Sequence, residues 1–305
     1  MAARTASPPP APVPAATPAP DHSPDAAPDR PGWERLLPAR RTALMGVLNV
    51  TPDSFSDGGN FFHPQQAVAH ALELATHGAD LLDLGGESTR PGARPVDVDE
   101  EIRRVVPVIQ ALRAAGVSLP ISIDTTKAAV ARAAIAAGAD AVNDVSAFTL
   151  DPEMAATCAE LEVPVVLMHM RGEPRTMQDH PEYHNVVGEV ADYLEGRVRA
   201  AIAAGIRRDR IALDPGLGFG KDTTHNLLLL KGLSQLTRTG LPVVVGSSRK
   251  SFIGRILEQP DPARREWGTA ATVAWAIAHG ARVVRVHAVR EMTQVTRVID
   301  AIRNA

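Results

Sequence analysis

The sequence predicts an α/β protein built as one closed (β/α)8 barrel, and three observations carry that reading. Short apolar runs alternate eight times with longer, Ala-rich stretches at helical spacing. The apolar runs are hydrophobic on both faces, as parallel strands covered by helices are. Eight such units fill about 260 residues, the size of a barrel of this kind.

The runs are Leu44–Val50, Leu81–Gly85, Pro120–Asp124, Ala141–Asn143, Val163–Met168, Ile211–Asp214, Val243–Gly246 and Val283–His287. The stretches at helical spacing are 64–78, 98–115, 126–138, 151–161, 185–205, 224–238, 264–279 and 290–303. Strict alternation of the two implies a parallel sheet joined by right-handed crossovers. A doubly wound open sheet uses the same units and is the alternative. Helix starts are marked by Asp97 and Asp99, by Asp151-Pro152 and by Thr223-Thr224. Gly78, Gly116, Gly138, Gly205 and Gly280 follow helices, where a left-handed residue ends the last turn.

Residues 1–31 differ in kind. They are nearly all Ala, Pro, Ser and Thr with a few charges, and hold ten of the chain's 25 prolines. So little apolar bulk cannot offset the entropy of ordering, so a disordered tail is expected there, with the barrel domain over 32–305. The segment lacks the apolar core of a secretory signal. Elsewhere no apolar run reaches the roughly 18 residues of a membrane span. A net charge of -3 and a pI near 6.4 give no footprint for nucleic acid or an anionic membrane. The single cysteine, Cys158, falls in an Ala-rich helical stretch and reads as a small buried hydrophobe. A cytosolic protein is expected.

The ends of the eight runs carry, in order, Asn49, the Gly85-Gly86-Glu87 turn, Asp124, Asn143, His169, Asp214, the Ser247–Ser251 turn, and Arg285 with His287. Each enclosed polar group without a partner costs roughly 1–3 kcal/mol, so stability alone does not account for the set. A ligand does, because sites of this fold lie where the strands end. Asp214-Pro215-Gly216-Leu217-Gly218-Phe219-Gly220-Lys221 has the look of a phosphate loop but fails the pattern. Its first glycine would fall at Pro215, and the Ser or Thr after the lysine is Asp222. The glycines instead let backbone pass close to a ligand, with Phe219 as a stacking surface. The Ser247–Ser251 turn concentrates hydroxyls, cations and backbone N–H groups, and Arg285 and His287 share a strand face. With Asn49 they suggest a phosphate or pyrophosphate site. Asp124, Asn143 and Asp214 with one lysine suit the edge of a flat, donor-rich heterocycle such as a guanine or pterin.

Eight blocks in order resemble those of dihydropteroate synthases. They are residues 45–59, Gly85 to Gly92, Ile121 to Thr125, Asn143 to Ser146, Met168 to Met170, Asp214 to Lys221, Ser248 to Ser251, and Arg285 to His287. The resemblance covers nearly all of 42–303 and implies condensation of 6-hydroxymethyl-7,8-dihydropterin diphosphate with p-aminobenzoate, releasing pyrophosphate. It implies that Asp124, Asn143, Asp214 and Lys250 hold the pterin, that Asn49 contacts Mg2+ and the diphosphate, and that Arg285 and His287 clamp that anion. It assigns Phe55, Asp57, Thr89, Arg90 and Pro91 to two loops closing on p-aminobenzoate, and Phe219 and Ser251 to its pocket. Lys250, Arg285, His287 and Asp124 then stand nearest the chemistry. The same resemblance implies a homodimer through late helices. Two positions depart from the family: Ala147 where Gly is common and Ala288 where Asp is common. A non-catalytic pterin-binding paralogue and a pterin-binding methyltransferase barrel are the alternatives. Against the paralogue stands the retention of Asn49, Arg90, Lys250 and Arg285, since pterin binding alone needs neither the diphosphate nor the p-aminobenzoate side; against the methyltransferase stand the Arg90 loop and the Ser248–Ser251 block alongside the diphosphate clamp.

Overall fold

The computed structural model describes residues 32–50, 64–88, 95–172, 177 and 181–305. The expected tail over 1–31 lies outside them, as do the expected loop residues Phe55, Asp57, Thr89, Arg90 and Pro91. Eight parallel strands form the sheet: β1 Ala43–Asn49, β2 Leu81–Gly85, β3 Ile121–Asp124, β4 Ala141–Asp144, β5 Val165–Met168, β6 Ile211–Asp214, β7 Val244–Val245 and β8 Val283–Val286. Their order is β6-β5-β4-β3-β2-β1-β8-β7, and a parallel bridge between Leu213 and Val243 joins the two ends. The barrel therefore closes, and the open doubly wound sheet is excluded.

Between the strands run α2 Pro64–Thr76, α3 Val98–Ala114, α4 Ala128–Ala136, α5 Met154–Glu160, α6 Val186–Ala203, α7 Thr223–Lys231, α9 Ser251–Ile256 and α10 Glu266–Ala278, with α11 Val289–Asn304 last. Two further short helices among the described residues are α1 Trp33–Leu36 before β1 and α8 Ser234–Thr237 after α7. The stretch expected as one helix over 224–238 is thus two, broken at Gly232 and Leu233. Local chemistry explains the starts. Asp97 accepts the Glu100 N–H at 2.7 Å and Asn185 accepts that of Gly188 at 3.1 Å. The cap of α7 is Asp222, in a reciprocal capping box with His225, one residue before the expected Thr223. Gly138 and Gly280, expected as helix stops, take left-handed φ of +113° and +92°.

Two apolar layers hold these elements. The larger packs the outward strand residues against the helices, as Leu44, Leu82, Ile123, Val142, Leu167, Leu213 and Val284 show. Cys158 belongs to it, buried, and burial pushes its thiol pKa up. The smaller layer fills the barrel's N-terminal end with inward residues, among them Met45, Leu81, Val166, Val244 and Val283. Trp33 of α1 closes that end: it is fully buried, and its indole Nε1 donates to Val165 O at 3.1 Å. A ring this size with its only polar atom satisfied is a plug. Trp33→Ala should lower unfolding free energy by about 3–5 kcal/mol, because the barrel cannot collapse into the void. Denaturant titration measures it, and a loss under about 1 kcal/mol would show that the plug is dispensable.

Candidate active site

Strand alternation decides which side chains enter the barrel. Since Ala43, Met45, Leu81, Ala141, Val166, Ala212, Val244 and Val283 form the inner floor, residues two and four places further along each strand face the same interior. Those are Asp83 and Gly85 on β2, Asn143 on β4, Met168 on β5, Asp214 on β6, Gly246 after β7, and Arg285 and His287 on and after β8. Register brings Asn49 opposite Gly85, Gly85 opposite Asp124 and Asp124 opposite Asn143, so four strands present one continuous row. Met168 stands opposite Asp214 across β5 and β6. Of the expected ring, Asn49, Asp124, Asn143, Asp214, Arg285 and His287 therefore share one surface above an apolar floor, whereas His169 follows the inward Met168 and is buried against Lys221.

Arg285 organises it. Its Nε donates to Asp83 Oδ2 at 2.5 Å and its Nη2 to Asp124 Oδ2 at 2.9 Å. Asn143 Nδ2 donates to the same Asp83 oxygen at 3.1 Å. Among the described residues, Asp83 Oδ1 and Asp124 Oδ1 are buried with no hydrogen-bond partner. Burial is the largest cause raising the Asp124 pKa, followed by the charge of Asp83. Arg285 opposes them, and the carboxyl settles at about 7. Asp83 itself was missed by reading only the ends of the runs. Its signal was present: one carboxylate amid Leu81, Leu82 and Leu84.

Asp214 starts the second cluster. Its Oδ1 accepts the Gly216 N–H at 2.7 Å. Burial raises its pKa to about 6, held down by that bond and by Lys250, Arg285 and Lys221. The chain after it turns sharply. A Cβ at Gly216, where φ is +66°, would lie 1.9 Å from His169 O, and one at Gly220, φ +62°, would lie 2.2 Å from Arg171 O. These glycines are needed for close approach of two loops. Phe219 is 9% exposed, and Lys250 Nζ sits 4.1 Å from its ring centroid, a cation–π contact. Beneath them Lys221 Nζ reaches His169 Nδ1 at 2.9 Å, Gly216 O at 2.9 Å and Phe219 O at 2.8 Å. The failed phosphate-loop pattern left Lys221 unassigned in the sequence.

The third cluster follows β7 and β8. Ser248 Oγ lies 2.9 Å from His287 Nδ1 and accepts the His287 backbone N–H at 3.2 Å. Arg249 holds a left-handed φ of +60° and pairs with Glu266. Lys250 is half-buried and caps α9, and Ser251 at the first turn of that helix is exposed. Asn49 is half-buried at the end of β1. At the root of the loop after β2, Lys127 pairs with Glu87 and with the buried Glu101, the latter at 2.5 Å, and Arg104 donates to Gly86 O at 2.9 Å. Ala147 takes φ +51°, which explains why glycine is favoured there. The turn is held by Asp144, which accepts the N–H groups of Ser146 and Phe148. Ala288 caps α11 with no side-chain bond, a place where a carboxylate could accept from the helix. No group of three or more His, Cys, Asp or Glu among the described residues is placed to hold a metal.

The family profile described as pterin binding enzyme matches residues 45–287. The chain is 50% identical over 263 residues to the dihydropteroate synthase of Synechocystis sp., covering 86% of this chain and 91% of that one. Among solved structures it is similar to the dihydropteroate synthase of Xanthomonas albilineans with 4-aminobenzoic acid, with a TM-score of 0.82 and 48% identity over 87% of this chain and 94% of that chain. The same organism's enzyme in complex with 7,8-dihydropteroate aligns with a TM-score of 0.79 and 45% identity, covering 87% and 95%.

The charge balance of the interior has a consequence for pH. The Asp124 pKa is raised to about 7 in the fold, against about 3.9 in an unfolded chain. A raised carboxyl contributes stability that is complete below about pH 4 and is lost as pH rises through about 7. Asp124→Asn lacks that dependence. Between pH 4 and pH 8 the stability difference should move in favour of the variant by about 2–4 kcal/mol. Parallel stability–pH curves for the two proteins would contradict it.

Proposed function

The chain belongs to the pterin-binding enzyme family, and we propose that its reaction is that of a dihydropteroate synthase. It joins 6-hydroxymethyl-7,8-dihydropterin diphosphate to p-aminobenzoate and releases pyrophosphate, which makes it a transferase. The observation that carries the reading is the set of buried polar groups Asp124, Asn143 and Asp214 around Arg285, with Asp124 Oδ1 unpartnered among the described residues. A pterin ring edge supplies the N–H donors such oxygens lack. Asp124, Asn143 and Asp214 hold that edge, and Lys250, laid across Phe219, borders the ring.

The bond that breaks joins the pterin CH2 to a diphosphate oxygen. The electron-rich ring stabilises positive charge on that carbon, so the protein needs mainly to fix both ends and steady the leaving anion. Arg285 and His287 face the diphosphate. Arg285 already contacts Asp124 of the pterin half, so one guanidinium couples the two ends of the substrate. His287 is oriented by Ser248. Asn49 offers a single amide oxygen, a hard donor that fits a Mg2+ ion whose other ligands are water and phosphate oxygens. Bound there, Mg2+ would offset charge on the diphosphate. The aniline nitrogen of p-aminobenzoate then forms the new C–N bond and loses its proton. Phe219 and Ser251 border that substrate; Phe55, Asp57, Thr89, Arg90 and Pro91, which the family resemblance assigns to the same substrate, lie outside the described residues. A cytosolic setting suits these soluble substrates; among the described residues no helix is long and apolar enough to cross a membrane.

We also infer a homodimer. The outer faces of α10 and α11 leave Trp267 88%, Val298 58% and Ile302 68% exposed. A groove of about 430 Å³ runs between the helices, lined by Trp267, Ala270, Met292, Val295, Val298 and Ile299. A second copy covers such a face by packing like helices together.

Two measurements test these readings. Purified protein with the dihydropterin diphosphate, p-aminobenzoate and Mg2+ should release pyrophosphate, and Lys250→Ala or Asp124→Ala should cut kcat/KM at least about tenfold. Pterin binding without turnover would overturn the synthase reading in favour of a non-catalytic relative. Val298→Asp should weaken self-association at least about tenfold in sedimentation equilibrium. An unchanged dimer, or a wild-type monomer at micromolar concentration, would remove this face from the interface.

A further inference from the structure

Lys221 is 2% exposed, and its partners are unusual for a buried lysine. Nζ meets Gly216 O at 2.9 Å, Phe219 O at 2.8 Å and His169 Nδ1 at 2.9 Å, with His169 O further away at 3.3 Å. An ammonium has three N–H donors, and three acceptors stand at normal hydrogen-bond distance. That match requires an unprotonated His169 Nδ1. His169 meets the requirement: burial first, then Lys221 and Arg171, hold its pKa at about 3. Its ring is further fixed edge-on to Tyr193, with centroids 4.8 Å apart. Burial first, and then Lys250 and Arg171, lower the Lys221 pKa well below its ordinary value, while the carboxylate of Asp214 opposes them.

Each acceptor belongs to a part of the site. His169 follows β5, Gly216 bonds Asp214 through its own N–H, and Phe219 carries the ring under Lys250. We infer that Lys221 is a positioning residue of the transfer reaction, pinning the β6–α7 loop from beneath so that Phe219 meets Lys250. The inference rests on the reading of this site as a dihydropteroate synthase. Losing the tether moves Phe219 and so weakens p-aminobenzoate capture.

Lys221→Met keeps the shape and removes the N–H donors, so KM for p-aminobenzoate should rise at least about threefold, with KM for the diphosphate substrate little changed. A purely structural role would lower kcat and shift both KM values together, and that result overturns the inference. A second pair keeps the test open if that variant fails to fold. His169→Leu deletes one acceptor and should raise KM for p-aminobenzoate at least about threefold, with KM for the diphosphate substrate little changed. His169→Asn places an oxygen near the Nδ1 position and should restore most of the loss. Equal behaviour of Leu and Asn would refute the tether. Wild-type protein that does not turn over would instead fail the functional reading itself, so the two failures are distinguishable.

Discussion

The structure depends on one arrangement, a guanidinium placed between two buried carboxylates inside a barrel. Charge taken out of water is costly unless it is paired with good geometry. Arg285 meets that condition by dividing its donors between Asp83 and Asp124, on strands β2 and β3, from its own position on β8. Asn143 adds a fourth strand through the same Asp83 oxygen. Without Arg285 the interior would hold uncompensated negative charge, and Asp124 would take up a proton more readily still. Without Asp83 the arginine would lose its nearest partner and the fixed direction that comes with it.

Around that arrangement the barrel divides by height. The floor is apolar and plugged by Trp33, and the next inward layer is charged. Parallel register then does the positioning, because it sets Asn49, Gly85, Asp124 and Asn143 side by side without help from loops. Rigid strands suit groups that must meet a ligand within a fraction of an ångström. The sequence had divided these residues into a pterin half and an anion half. The geometry joins them, since Arg285, expected on the anion side, is hydrogen-bonded to Asp124 on the other.

The fold was legible because its signal is repeated eight times, and each repeat is apolar on both faces. Strand edges moved by a residue or two. Pro120 and the Val163-Pro164 pair fall outside β3 and β5, and β7 shrinks to Val244 and Val245. Pro lacks an N–H for the ladder, which accounts for the first two. Within the site, Asp124, Asn143, Asp214, Arg285 and His287 could be read from the strand ends. Asp83 could not, because a strand-end rule does not register a charge in mid-strand. Lys221 could not either, since its partners are three neutral acceptors that no spacing in the sequence announces. Ala147 was visible as a departure, while its left-handed backbone was not.

The buried polar groups of the interior differ in how fully they are paired. Asp144 accepts two backbone N–H groups and the Ser146 hydroxyl, and every donor of Lys221 has an acceptor. Those groups are finished, and they hold turns. Asp83 and Asp124 each keep one oxygen buried without a partner among the described residues, although an oxygen in that state costs roughly 1–3 kcal/mol. A hydroxyl or an amide could pair such an oxygen, as the Ser146 hydroxyl does at Asp144. A heterocycle with N–H groups pairs the Asp124 oxygen instead, and the free energy of that pairing goes into ligand affinity.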